Sequence, residues 1–155
     1  MLEFDTINGF SREAQEVAEA DYEEVQRTWN SEVLGMGVTR RQLNRVWANC
    51  SQPDWDGHSS VPVKAETLNH VARLLQSLPR LFPLPTIGAD PDGHVTLEWF
   101  HSPSRLVSIS VTPDAQLHYA GLFGGNTAYG TEPFFGELPE SILTMIRRVG
   151  INDRF

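Results

Sequence analysis

A single cysteine, Cys50, occurs among the 155 residues. No internal disulfide can form, and a structural zinc site built on thiolates is excluded. No apolar run approaches the eighteen or so residues that a membrane span needs. The start, Met1 to Asp5, has neither a basic n-region nor a long apolar h-region, so the expectation is a cytoplasmic protein. Bases are scarce as well: 12 Lys and Arg stand against 20 Asp and Glu, a net charge of −8. Internal repeats and low-complexity segments are missing. No glycine-rich phosphate loop, metal cluster or nucleophile motif stands out, so neither cofactor nor metal is expected.

What is present begins with the location of that charge. Residues 1–34 hold nine acids against Arg12 and Arg27, a net −7, whereas residues 35–155 hold eleven acids and ten bases, a net −1. The acidity therefore belongs to one segment. Ser11 can cap a helix from about Arg12 to Asn30. At 100° per residue, Ala14, Val17, Ala18, Tyr22, Val25 and Trp29 share one face, with Asp21 at its rim. Glu13, Glu16, Glu19, Glu23 and Glu24 spread over the other face and form an acidic stripe. Such a stripe is either a solvated surface or a surface for a basic partner.

Gly35-Met-Gly37 breaks this pattern, and Thr39-Arg-Arg-Gln42 reads as a capping box opening a second helix with Leu43, Val46 and Trp47 on one side. Helix, glycine turn, helix is also the outline of a DNA-binding helix-turn-helix. Arg40, Arg41, Asn44 and Arg45 would then face the bases. The acidic helix before them would be repelled by phosphates, so nucleic acid is the weaker expectation. In the loop that follows, Asp54, Asp56 and His58 are spaced too locally to make a convincing metal site, and a turn pinned by a buried Trp55 accounts for them. A third helix, about Ala65 to Ser77, puts Leu68, Val71, Ala72, Leu75 and Leu78 on one face and His70 on the surface opposite.

Pro79, Pro83 and Pro85 enforce an extended connection, after which alternation of period two marks strands from Thr86 to Phe123. Three loops, Pro91-Asp-Gly93, Ser102-Pro-Ser104 and Pro113-Asp-Ala115, set three registers. They place Ala89 opposite Val95, Trp99 opposite Val107, and Val111 opposite Leu117, and keep these apolar residues on one face. Ala115 falls where such a loop prefers Gly. Gly124-Gly-Asn126 turns into a short edge strand, Thr127 to Thr131. Leu138-Pro139 opens a last helix to about Arg148, with Ile142, Leu143, Ile146 and Val149 inward.

The expected fold is α+β: an antiparallel meander of four to five strands packed on one face by about four helices. It forms a single domain over 1–155, with an acidic helical extension at 1–34 and a core at 39–149. The opposite sheet face carries Thr96, Glu98, Phe100, Ser108, Ser110, His118, Ala120 and Leu122. Glu98, a serine and His118 contain the parts of an acyl-transfer triad, but an open face lacks the concave setting and oxyanion hole that this chemistry needs. The same face, flat and carrying Phe100, could instead seat a symmetric homodimer.

Several stretches resemble an uncharacterised bacterial family of small proteins. They are Asp54-Trp-Asp-Gly57, Asp90-Pro-Asp-Gly93 leading to Leu97-Glu-Trp99, Ser108-Ile-Ser-Val111, His118-Tyr-Ala-Gly-Leu122, Gly130-Thr-Glu-Pro133 and Glu137-Leu-Pro139. The resemblance spans about residues 50–149. It implies a stand-alone accessory protein of bacterial or phage type and brings no activity or ligand with it. The leading expectation is a non-enzymatic module that binds and restrains a partner with a basic surface, as an antitoxin, an immunity protein or an inhibitor of a nucleic-acid-handling complex would. A helix-turn-helix regulator and a hydrolase on the open sheet face are the alternatives.

Overall fold

The computed structural model describes residues 37–150. Its elements are α1 (Gly37–Cys50), α2 (Ala65–Ser77), β1 (Thr86–Ala89), β2 (Val95–Ser102), β3 (Arg105–Val111), β4 (Gln116–Phe123), β5 (Asn126–Pro133) and α3 (Glu140–Gly150). The strands form one antiparallel sheet in the order β1-β2-β3-β4-β5, and the fold is α+β. Three of the four expected helices are present. The fourth, at 12–30, lies outside the described residues.

All three registers match expectation. Ala89 faces Val95, Trp99 faces Val107, and Val111 faces Leu117. Gly93 at φ 86° and Ala115 at φ 60° take the left-handed position of their loops. The middle turn departs by one residue. Phe100 pairs with Leu106 but Ser102 pairs with Arg105, so His101 is an extra residue in β2 and the turn shrinks to Pro103-Ser104. A bulge of this kind bends the strand next to its turn.

Alternate residues of β2 and β3, namely Val95, Leu97, Trp99, Val107, Ile109 and Val111, are at most 4% exposed and meet Leu68, Leu75, Ile142 and Ile146 from the helices. Burying each such aliphatic side chain contributes about 1.5–3 kcal/mol. At Gly121 the space a Cβ would fill is taken by the Met145 methyl of α3 and the Phe123 ring. Pro139 sits just ahead of α3, and its carbonyl accepts from the Ile142 and Leu143 N–H groups. At the other end the Arg105 guanidinium donates to the Arg148 carbonyl at 2.7 Å, so a strand side chain closes the helix C-terminus. Trp99 is tied by its indole N–H to the Pro83 carbonyl at 2.8 Å, which fixes the proline-rich connection against the sheet.

Thr39 does not cap α1. The helix already includes Gly37 and Val38, and Thr39 is buried inside it. Gln42 is spent elsewhere: its Oε1 accepts the Ile87 N–H of β1 at 2.8 Å. Gln42 of the expected capping box instead attaches α1 to the first edge of the sheet.

Candidate functional site

The acidic residues Glu13, Glu16, Glu19, Glu23 and Glu24 lie outside the described residues. Of the basic set, Arg41, Asn44 and Arg45 are exposed on α1, and Arg40 is half-buried. The buried side of this helix, Leu43 and Val46, belongs to the core, and its main neighbour among the described elements is β1. Fourteen residues separate α1 from α2, so these two helices are not themselves a helix-turn-helix; the helix expected at 12–30, which would complete one, lies outside the described residues.

Asp54 and Asp56 serve their own loop. Asp54 Oδ1 accepts the Ser59 N–H, while Asp56 Oδ1 accepts the N–H groups of His58 at 2.8 Å and Ser60 at 3.2 Å. The His58 N–H, followed by the Ser60 hydroxyl and N–H, holds the Asp56 carboxyl below the usual carboxylate range. The lowered value means that the carboxylate stabilises the folded loop above the ordinary range, and this contribution fades as pH falls through the lowered pKa. Among the described residues no trio of His, Cys, Asp or Glu is placed to hold a metal ion. Trp55 is half-buried rather than buried and donates its indole N–H to the Val61 carbonyl at 2.9 Å. The loop then docks on the β1–β2 hairpin. Val61 N–H donates to the Pro91 carbonyl at 2.8 Å, and a Cβ at Gly93 would meet Pro62 O at 2.9 Å. The Trp-Asp-Gly and Pro-Asp-Gly stretches are thus two halves of one packed junction. His70 is likewise no plain surface residue, because its Nε2 lies 3.0 Å from the Pro113 carbonyl in the β3–β4 loop.

The open sheet face orders its side chains into rows across the strands. One row runs Gly88, Thr96, Ser110, His118, Thr131, and the next runs Thr86, Glu98, Ser108, Ala120, Tyr129. Glu98 and His118 are therefore in different rows with β3 between them, and the structure does not bring them together. His118 instead stacks on His94, with ring centroids 6.1 Å apart, and its Nδ1 lies 2.9 Å from the Thr131 hydroxyl. His94 Nδ1 lies 3.2 Å from Asp92 and 3.4 Å from the Ser110 hydroxyl. The Thr112 hydroxyl, followed by the Asp114 backbone N–H and the two histidines, lowers the Asp114 carboxyl. This histidine corner was missed because His94 precedes the strand pattern, although it lies on the same alternation as Thr96.

The other end of the face is apolar. Phe100 is 58% exposed and Tyr129 83%, with Leu106 and Leu122 half-buried between them. Beside it, at the β2–β3 turn, is an open cleft of about 520 Å³ lined by His101, Arg105, Arg148 and Phe123. The Arg148 guanidinium lies over the Phe123 ring at 4.1 Å. No described helix is long and apolar enough to cross a membrane. Comparison with family models, with curated proteins and with solved structures finds no match to this chain.

Proposed function

We propose that the protein is a non-enzymatic interaction module of antitoxin, immunity or inhibitor type that binds and restrains a partner with a basic surface. The observation that carries this reading is the segregation of charge, net −7 in residues 1–34 against net −1 in the rest. A concentrated acidic segment steers association with a basic groove, including one meant for nucleic acid, and raises the on-rate at low salt. The separation of Glu98 from His118 on an open face supports a binding role over a hydrolytic one.

Co-purification from the native host, followed by identification of what is bound, tests the reading. A stoichiometric basic protein released by salt is expected. Reversing charge in Glu16→Lys, Glu19→Lys and Glu23→Lys together should abolish its capture and flatten the salt dependence. A partner retained equally by that variant overturns the proposal.

A second reading rests on the exposure of Arg41 and Arg45 along one side of α1. A nucleic-acid contact there requires a mobility shift at low salt that Arg41→Ala removes. The absence of a shift disposes of it.

A further inference from the structure

Among the described residues no element pairs with the outer edge of the last strand, and the sequence of that strand fits a copy of itself. The Phe134 N–H donates to the Ala115 carbonyl at 2.9 Å, two residues beyond the pair Leu117–Glu132. Bonded pairs alternate along an antiparallel ladder. It follows that Gly130 and Ala128 turn their backbone groups toward β4, while Thr127, Tyr129 and Thr131 turn theirs away from the sheet. Among the described elements, only β4 packs substantially against β5.

We infer that β5 is a homodimerisation edge, pairing antiparallel with the β5 of a second copy about a two-fold axis at Tyr129. The segment Thr127-Ala-Tyr-Gly-Thr131 is nearly palindromic about its centre. In this register Tyr129 meets the partner's Tyr129, each Thr127 meets the opposite Thr131, and Ala128 meets Gly130. Thr–Thr and aromatic pairs are favourable cross-strand combinations. Glu132, the strand's one charged residue, faces Asn126 rather than its own copy. Moving the axis one residue toward the C-terminus would set Thr127 against Pro133, which has no N–H to give. The register centred on Tyr129 engages all three outward residues with full bonding. Pairing of this kind is isologous and closes, and it joins two five-stranded sheets into one.

A five-residue edge contact is smaller than a standard interface of about 1,600 Å², so a reversible dimer of micromolar affinity is expected. Sedimentation equilibrium of the full chain across the micromolar range reads it. Tyr129→Lys puts two like charges across the axis on an exposed edge and should weaken the dimer by about tenfold or more, with an unchanged circular dichroism spectrum. Tyr129→Phe should leave it within about twofold, since the aromatic pair is kept. Tyr129→Cys supplies an independent readout: a bonded pair spaces its Cα atoms about 5.5 Å apart, which suits a disulfide across the axis under mild oxidation. A chain that stays monomeric throughout overturns the inference. So does a dimer that survives Tyr129→Lys but is lost in Phe100→Ser, because that outcome places the contact on the sheet face.

Discussion

The two edges of the sheet are built in opposite ways. β1 is four residues long and follows a proline, and α1 lies along it with Gln42 occupying the outward Ile87 N–H. β5 is eight residues long, with Glu132 as its one charged side chain and no described element along its outer side. An uncovered edge is a template for another strand, and proteins commonly blunt it with charge, proline, shortness or a covering helix. This chain applies shortness and a helix to β1. On β5 the charge and the proline, Glu132 and Pro133, are confined to the far end. The contrast teaches that covering an edge is selective among the described elements: a helix is attached to one edge, while the other is paired on one side only.

The largest change to this comparison should come from loosening α1. Leu43 is fully buried and holds the helix to the core. Leu43→Ala should cost about 2–5 kcal/mol, a fall of roughly 10 °C in Tm by calorimetry, and should promote aggregation through the exposed β1 edge. Gln42→Ala is more selective. It leaves the half-buried Ile87 N–H without its acceptor and should cost about 1–2 kcal/mol in a denaturant titration. Hydrogen exchange at Ile87 should accelerate far more than exchange at Gly130, whose N–H faces β4.

Ala115→Gly should act in the other direction. Ala115 holds φ 60°, and its carbonyl accepts from Phe134 just past β5. Relieving the left-handed strain should raise stability by on the order of 1 kcal/mol, read as a higher denaturation midpoint. A loss of stability would mean that the methyl group's packing against the core outweighs the strain.

This position was legible in the sequence because turn chemistry and period-two alternation agree there, and the same agreement set all three registers. Four features were not. The one-residue bulge at His101 changes no apolar pairing, so alternation is blind to it. The strand β5 runs over Asn126–Pro133 rather than Thr127–Thr131, because its Asn, Thr, Ala and Gly carry no apolar signal and take their order from β4. Gln42 matched a helix cap by spacing, but its acceptor is claimed by a strand 45 residues away. The histidine corner needs the β1–β2 hairpin closed before His94 can reach His118. Of the proposed site, only the charge segregation could be read directly, since a run of acids requires no tertiary contact to be recognised.

The smallest effect separates the edges most cleanly. Tyr129 is 83% exposed and its backbone N–H faces away from β4, so Tyr129→Ser should change the stability of the monomer by no more than about 0.5 kcal/mol. At submicromolar protein, chemical denaturation of the two chains should superimpose. At high concentration they should diverge, because association stabilises the folded state in proportion to how far the concentration exceeds the dissociation constant. The original chain should gain a concentration-dependent rise in its midpoint that the variant lacks. Gln42→Ala, acting on the guarded edge, should lower the midpoint equally at every concentration. Parallel behaviour of the two variants would erase the distinction between an edge that stabilises the protomer and one that joins it to another.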